Sequence, residues 1–117
     1  MEAQFIEFGL IEIDGQRFDY DLVIEAGVIR KRKKKPSKSF REQYGHTPLS
    51  AQEDIPWGGR QLIVGTGAYG RLPIMPDVFE AAQQHQIEIV AIPTDEACRL
   101  LRGLATQDIY AILHVTC

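Results

Sequence analysis

The sequence predicts one α/β domain, in which an antiparallel meander comes first and a parallel strand–helix–strand–helix–strand unit follows. Asp14-Gly15 separates two stretches rich in β-branched and aromatic residues, as in a β-hairpin. Further on, three apolar runs (62–64, 87–92 and 109–115) alternate with two segments of helical periodicity. Such alternation predicts parallel strands joined by right-handed crossovers.

Composition is that of an ordinary globular domain with an uneven charge distribution. The 117 residues are 44% hydrophobic and 25% charged, which is enough to bury one core without disulfide bonds. The net charge is −3, but the first 29 residues carry seven acids against one base, and eight of the thirteen Lys and Arg lie in 30–41. This balance as a whole does not indicate a nucleic-acid-binding domain. The single domain (1–117) is predicted to consist of a meander (1–29), a basic loop with a short helix (30–60) and the parallel βαβαβ part (61–117).

Nothing in the sequence indicates a membrane span, secretion or a cofactor. No apolar run approaches the length that crosses a bilayer. The acidic start, Met1 to Glu7, lacks the basic character of a targeting peptide. Two cysteines, Cys98 and Cys117, do not make a disulfide framework. We therefore expect a cytoplasmic protein without a cofactor or metal.

The first 29 residues are predicted to form the meander. One strand runs from Phe5 to Ile13, and the return strand after the Asp14-Gly15 turn places one apolar face inward. Ala26-Gly27 breaks the return strand, and Val28-Ile29 begins another. The inward-facing positions of the return strand are Phe18, Tyr20, Leu22 and Ile24.

Six consecutive basic residues follow the meander: Arg30, Lys31, Arg32, Lys33, Lys34 and Lys35. Like charges in a row repel one another and resist burial, so the run is predicted to be an exposed or mobile loop that extends to Lys38. Two interpretations stay open. The run is a polyanion-binding arm or, in a eukaryotic host, a nuclear import signal; alternatively, it is a solvated loop that keeps a sheet edge from pairing.

Two shorter signals precede the parallel part. Ser50-Ala51-Gln52-Glu53 matches a capping box and predicts a short helix toward Ile55. Pro56-Trp57-Gly58-Gly59 ends that helix. The single tryptophan is interpreted as a core or lid aromatic, because a lone Trp usually supplies buried area.

The parallel part has clear strand and helix signals. Leu62 to Val64 is predicted to be the central strand, covered on both faces. Pro76 opens a helix that runs through about residue 86, as proline favours the first helical position. Thr94 is predicted to be the N-cap of a second helix. The buried stripe of that helix consists of Ala97, Leu101 and Leu104.

The loop after the predicted central strand, residues 65–70, has the letters of the G-x-G-x-x-G dinucleotide fingerprint. In that fold the helix opens within the motif, whereas Pro73 and Pro76 delay it here. We therefore interpret the loop as a tight turn with a small-anion site, because ligands of open α/β sheets bind at the carboxyl ends of strands. For Thr94 a plain N-cap is the simpler interpretation, and for Gly65 and Gly67 a turn and a ligand role are both open. The candidate ligand-binding residues are Gly65, Thr66, Gly67, Tyr69, Arg71 and Thr94.

No metal or nucleophile site emerges from the order of residues. Cys98, His114 and Cys117 are three candidates, whereas a structural zinc site usually has four protein ligands. His114 and Cys117 have opposite parity and would point to different faces of a continuing strand. No Ser-His-Asp arrangement can be assembled from the chain order, so the sequence identifies no reaction.

From Gln61 onward the chain resembles a small known family. The resemblance is carried by Leu62 to Gly67, Ile87 to Val90, Thr94 to Cys98 and His114 to Cys117, and the opening hairpin with Asp14-Gly15 fits it. The family includes the adipogenesis-associated cytosolic protein of animals, the mitochondrial complex I assembly factor 3 and many prokaryotic proteins of unknown function. The resemblance implies a three-layer domain whose central mixed sheet packs between helices and an antiparallel hairpin layer. It implies no catalytic set.

Two departures from the family's pattern bear on any ligand. Relatives often carry a tryptophan after the second strand, where this chain has its basic run. They often carry an asparagine in the helix after the threonine, where this chain has Arg102. A ligand role of either residue would be altered here. The mitochondrial branch begins with a targeting segment that this sequence lacks, so we do not extend the complex I role to it.

The leading functional hypothesis is a non-enzymatic binding or assembly-type domain. It associates with itself or with a protein partner and has a small-anion pocket at Gly65-Thr66-Gly67. The first alternative is an enzyme that acts on a small acidic or phosphorylated substrate at the same loop, and it predicts a strongly shifted titratable group there. The second, less favoured, is nucleic-acid binding through 30–38, which salt would weaken steeply.

Overall fold

The computed structural model describes residues 1–117 and contains two sheets and three α-helices. The strands are β1 (Ala3–Glu7), β2 (Leu10–Ile13), β3 (Gln16–Phe18), β4 (Leu22–Glu25), β5 (Val28–Lys31), β6 (Gln61–Gly65), β7 (Glu88–Ile92) and β8 (Tyr110–Leu113). The helices are α1 (Arg41–Tyr44), α2 (Pro76–Gln84) and α3 (Thr94–Arg102), with short 3-10 helices at Lys35–Phe40 and Thr106–Asp108. None of the helices has the length and apolar character needed to cross a membrane.

The two sheets and the longer helices form a layered α/β domain. Strands β1, β2 and β3 make an antiparallel sheet, and the other five make a mixed sheet in the order β5-β4-β8-β6-β7. Helix α3 packs on one face of the mixed sheet, in the same core as the antiparallel sheet. The apolar side of α2 and the segment around Leu49 and Ile55 cover the other face. The predicted mixed sheet with crossover helices and an N-terminal antiparallel layer is confirmed.

The parallel part follows the prediction, but its centre lies elsewhere. β6 pairs in parallel with both β7 and β8, and α2 begins at Pro76 as predicted. However, β4 pairs antiparallel with β8, which places β8 in the middle of the sheet. The prediction of β6 as the central strand is therefore wrong. Apolar runs show that both strands are buried, but they do not show which one the meander joins.

The predicted meander is divided between the two sheets. Its Asp14-Gly15 turn is confirmed, with φ of 50° and 85° as a tight hairpin turn requires. The stretch predicted as one strand from Phe5 to Ile13 turns at Gly9 and becomes β1 and β2. The return strand breaks after Phe18 into β3 and β4, which belong to different sheets. Alternation of apolar residues cannot distinguish one strand from two strands that turn a corner.

Two predictions for the region 30–60 are wrong. The basic run is not an exposed loop throughout, because Arg30 and Lys31 belong to β5 and Arg32 is buried. The capping box at 50–53 starts no helix; the chain forms turns there. Its Glu53 side chain binds Arg32 and Ser37 instead of the start of a helix. Both predictions fail for the same reason, because Arg32 and Glu53 are buried as an ion pair.

Candidate functional site

The glycine loop, Gly65–Gly67, begins at the last residue of β6 and is tied to α3. The Gly67 N–H donates to Thr94 Oγ1 at 2.8 Å, and the Thr94 N–H donates to the Gly67 carbonyl oxygen at 3.0 Å. Thr94 Oγ1 in turn donates to the carbonyl oxygen of His114 at 2.6 Å. Thr94 is the first residue of α3, and its hydroxyl makes no capping hydrogen bond. The N-cap prediction for Thr94 is therefore wrong: the hydroxyl joins the glycine loop to the chain after β8.

Protein atoms fill the space around these glycines. A Cβ on Gly65 would lie 2.9 Å from Thr94 Oγ1, and a Cβ on Gly67 would lie 2.2 Å from the carbonyl carbon of Cys117. Main-chain N–H groups of residues 68, 69 and 71 donate to the main-chain oxygens of residues 116 and 117. Gly67 has a φ of +108°, which side-chain-bearing residues rarely adopt. The geometry favours the tight-turn interpretation of the glycines over a ligand role.

The remaining candidate residues of this loop do not converge on one cavity. Thr66 is buried, whereas Tyr69 is 69% exposed and lies near the ring of Phe8, with 6.2 Å between ring centroids. The Arg71 guanidinium carbon is 5.9 Å from the Tyr69 ring centroid, at the surface. None of the six predicted ligand residues lines the surface cleft of about 620 Å³ or the surface cleft of about 340 Å³. A small-anion pocket at this loop stays a prediction.

Beside the glycine loop, sheet register brings three charged or titratable residues together. β4 pairs with β8 on one side and with β5 on the other. The residues directly beyond the ends of these ladders are His114, Asp21 and Arg32, so Asp21 lies between the other two. In the chain, His114 is 93 positions from Asp21 and Arg32 is 11 positions from it. The His114 N–H donates to the Gly65 carbonyl oxygen at 2.9 Å, which places the group next to the glycine loop.

Arg32 is the centre of a buried ion-pair network with Asp21 and Glu53. Its side chain is 1% exposed, and Nη1 and Nε lie 2.8 Å from carboxylate oxygens of Asp21 and Glu53 respectively. Nη2 donates to Glu53 at 2.9 Å and to the Pro48 carbonyl oxygen at 3.0 Å. Burial alone would lower the pKa of Arg32, but the hydrogen bonds and charges of the two carboxylates raise it overall. Arg32 therefore stays charged and has all its strong partners inside the protein.

The Asp21 carboxylate also holds the imidazole of His114. Asp21 Oδ2 lies 2.8 Å from His114 Nδ1, and Oδ1 accepts the Val115 N–H at 3.0 Å. Burial raises the pKa of Asp21, but the hydrogen bond and charge of His114, the Val115 N–H and the Arg32 charge bring it down to about 2. Asp21 is therefore ionised at neutral pH.

The charge of Asp21 determines which nitrogen of the neutral imidazole carries the proton. A carboxylate only accepts hydrogen bonds, so we assign the proton to His114 Nδ1. Nε2 is then the acceptor, and it lies 3.2 Å from Thr116 Oγ1. The neutral ring thus presents its lone pair to the Thr116 hydroxyl.

His114 and Thr116 open into a cleft of about 340 Å³, which we call the basic cleft. It contains no acidic side chain in its lining. Of its cations, Lys34, Lys38 and Arg41 form no ion pair. Unpaired cations around a concave surface concentrate positive potential and attract anions. The basic cleft is lined by Arg32, Lys34, Lys38, Arg41, His46, Thr47, His114, Thr116 and Cys117.

The six basic residues predicted as one polyanion-binding segment have separate environments. Arg30 Nη2 lies 3.5 Å from carboxylates of both Glu25 and Asp54. Lys31 Nζ is 5.0 Å from the centroid of the Tyr20 ring, and Arg32 is buried. Lys33 and Lys35 are exposed and do not line the basic cleft. Arg32 cannot bind a polyanion without leaving its ion pairs, so the run does not act as one uniform charged arm.

A second cleft and the buried thiol of Cys98 are weaker candidates for a functional site than the basic cleft. A cleft of about 620 Å³ is lined by one base and one acid, Arg60 and Asp108, among mostly uncharged residues. Burial, with a smaller contribution from Asp95, raises the pKa of the Cys98 thiol to about 12 against the opposing charge of Arg102, so this thiol is a poor nucleophile. The structure brings no three His, Cys, Asp or Glu side chains close enough to hold a metal ion.

The sequence pointed to Arg32, Lys34 and Lys38 through the basic run, but it did not predict the contacts of His114 with Asp21 and Thr116. Sequence reasoning considered His114 only with Cys98 and Cys117, and it found no Ser-His-Asp order in the chain. The structure instead places Asp21 and a threonine hydroxyl on the two nitrogens of His114. A pairing of β4 with β8 would have been the signal, but nothing in the two segments specifies it.

Comparison with known proteins identifies similar chains among solved structures. No protein-family model matches the sequence, and no curated protein matches it. The structure of the conserved hypothetical protein PH1505 from Pyrococcus horikoshii OT3 aligns with a TM-score of 0.79 at 35% identity, over 100% of both chains. The protein MT938 shares the fold with a TM-score of 0.64 at 22% identity, over 98% of this chain and 99% of that one. A Bordetella parapertussis protein does so with a TM-score of 0.57 at 19% identity, over 97% of this chain and 95% of that one. On the strength of the 35% identity over its whole length, this chain belongs to the family of PH1505.

Proposed function

We propose that this protein is a binding domain for a small anion of the phosphate class, which it holds in the basic cleft. The observation that carries this proposal is the set of three cations, Lys34, Lys38 and Arg41, that face the cleft without an acidic neighbour in its lining. Lys and Arg side chains bind phosphate oxygens through charge-assisted hydrogen bonds, and Arg does so in a bidentate manner.

The size of the cleft favours a small molecule over a polymer. A volume of about 340 Å³ lies near the lower end of the range for small-molecule pockets. Its wall is held in place from inside, because the Ser37 hydroxyl, in the 3-10 helix that carries Lys38, bonds to Glu53 and Ser50. The cations are thus presented by an anchored segment, which reduces the entropy lost when a ligand orders them.

Thermal-shift and calorimetric titrations with inorganic phosphate and small phosphorylated compounds at low ionic strength test this proposal. We expect a higher melting temperature in the presence of ligand, since a ligand at 100 times its Kd adds about 2.7 kcal/mol to the free energy of unfolding. Lys34→Gln with Lys38→Gln should raise the Kd about tenfold or more, a loss of about 1.4 kcal/mol.

Lys33→Gln with Lys35→Gln is the matched control, because it removes the same charge from the same segment outside the cleft. Equal weakening by both pairs would contradict a defined site and would favour the nucleic-acid hypothesis, in which charge alone matters. No binding of any compound would remove the proposal. The expected protein partner or self-association stays a prediction, which sedimentation of the purified chain can test.

A further inference from the structure

We propose that Asp21, His114 and Thr116 form a catalytic site that hydrolyses a small phosphate monoester in the basic cleft. Thr116 is the nucleophile, His114 is the base and acid, and Asp21 positions the imidazole. This inference rests on the proposed function, because the cleft must hold the phosphoryl group beside Thr116.

The geometry has the three parts of an activated nucleophile. Thr116 Oγ1 lies 3.2 Å from His114 Nε2, and His114 Nδ1 lies 2.8 Å from Asp21 Oδ2. A nucleophile within hydrogen-bond reach of a base, with the base oriented by a third group, is the arrangement that lets a hydroxyl attack at neutral pH. His114 keeps 12% of its side chain exposed, and both His114 and Thr116 line the cleft. The hydroxyl is thus accessible to a ligand.

Two contacts hold this arrangement in place. The Thr116 main-chain oxygen accepts the Ala68 N–H at 2.6 Å, which fixes the chain after β8. Arg32 Nη1 binds the same Asp21 oxygen as His114, at 2.8 Å, so the carboxylate cannot rotate away without losing both partners. The imidazole is therefore preorganised before substrate binds.

The surroundings favour phosphoryl transfer over acyl transfer. Acyl transfer needs N–H donors aimed at a single developing oxyanion. The nearby N–H groups of residues 68, 69 and 71 already donate to the oxygens of residues 116 and 117. By contrast, Lys34, Lys38 and Arg41 are unpaired cations of the kind that stabilise charge on the oxygens of a transferring phosphoryl group.

The reaction balances with water as the only co-reactant. The Thr116 hydroxyl gives its proton to His114 Nε2 while Oγ1 forms a bond to phosphorus. The ester P–O bond breaks, and the departing oxygen takes the proton from Nε2. Water then gives a proton to Nε2 as its oxygen attacks phosphorus, and the P–Oγ1 bond breaks. Oγ1 takes that proton back, and inorganic phosphate leaves.

Hydrolysis of p-nitrophenyl phosphate by the full chain tests the proposal. We expect turnover that exceeds buffer alone. The isosteric Thr116→Val and the Nε2-removing His114→Ala should lower kcat by about 100-fold or more, the usual range for an acid–base group. Thr116→Ser keeps the hydroxyl and should stay within about tenfold of the parent. Acid quenching of the parent should trap a protein species heavier by one phosphoryl group, on the peptide that contains Thr116.

The outcomes separate this proposal from the proposed function. Turnover of Thr116→Val equal to that of the parent, or no turnover by the parent above buffer, overturns the catalytic assignment. If the parent binds inorganic phosphate by calorimetry but shows no turnover above buffer, anion binding stands without catalysis. Circular dichroism shows whether a variant has folded, and Thr116→Val keeps the volume of the side chain. Its folded, phosphate-binding but inactive form is the expected result.

Discussion

The glycine loop and the basic cleft lie side by side at the carboxyl ends of β6 and β8, yet the space around them differs. Around Gly65 and Gly67 the space is filled by Thr94 and the chain at 116–117. In the basic cleft the space of about 340 Å³ is open and lined by unpaired cations. The loop binds its own chain, whereas the cleft exposes three cations, Lys34, Lys38 and Arg41, that form no ion pair.

This difference teaches what a glycine-rich motif means without its helix. Glycine permits close approach, but the approaching atoms can be protein as readily as ligand. At Gly67 the approaching atoms belong to Cys117. Conversely, Arg32 lies within a run of charges that suggests solvent, yet it is 4% exposed because two carboxylates meet it. The surroundings of Gly67 and of Arg32 are therefore both set by residues from other parts of the chain.

The largest expected effect concerns the inner wall of the basic cleft. Arg32→Met should lower the free energy of unfolding by about 3 to 5 kcal/mol, because it leaves Asp21 and Glu53 buried without their cation. Lys33→Met, an exposed neighbour in the same run, should change it by less than about 0.5 kcal/mol. Urea denaturation at neutral pH measures both. Similar values for the two variants would mean that the buried network contributes little, and the contrast between cleft and loop would lose its structural basis.

The next effect tests whether the glycine loop has room for a ligand. Gly67→Ala should lower the free energy of unfolding by about 2 to 5 kcal/mol. The positive φ contributes about 1 to 2 kcal/mol and the overpacking about 1 to 3 kcal/mol. Gly70→Ala is the matched control: its φ is +66°, but its nearest neighbour atom would be 3.5 Å away. Gly70→Ala should therefore lower the free energy of unfolding only by the cost of the positive φ. If thermal or urea unfolding shows equal costs, the loop can relax away from Cys117 and the ligand interpretation regains support.

The smallest effect concerns the carboxylate that both Arg32 and His114 share. The pKa of Asp21 is lowered from 3.8 to about 2 in the folded chain, so the unfolded chain takes up the proton more readily. Stability is fully present above about pH 4 and is lost as pH falls toward 2, by about 2 kcal/mol, since a pKa change of one corresponds to about 1.4 kcal/mol. Denaturant unfolding at several pH values should show this dependence of the free energy of unfolding on pH in the parent and in Asp19→Asn. Persistence of the same slope in Asp21→Asn would show that other groups cause it.

Local chemistry was sufficient to predict much of the fold. Turn residues at Asp14-Gly15 and Ala26-Gly27 mark two hairpins, because each pair ends in a glycine, which adopts a positive φ readily. Pro76 marks the start of α2, and the apolar runs after it mark two parallel strands. Each of these features depends on residues a few positions apart, which is the range over which periodicity and turn signals act.

The candidate site could not be predicted in the same way. The rule about carboxyl ends of strands predicted a pocket at the loop after β6, and it did not predict the basic cleft beside that loop. The cleft instead depends on the pairing of β4 with β8, which brings Asp21 to His114 across 93 positions. Strand pairing over such a separation is a property of the whole core, and neither segment encodes its partner.

By itself, the sequence therefore determined the turns at Asp14-Gly15 and Ala26-Gly27, the start of α2 and the parallel strands along the chain, because those follow from local conformational preference and from apolar periodicity. Only the tertiary structure decided that β8 is the middle strand, that Arg32 is buried and that His114 meets Asp21. The physical reason is that the environment of a charged side chain is set by the groups around it. Those groups come from distant parts of the chain, and folding alone brings them together.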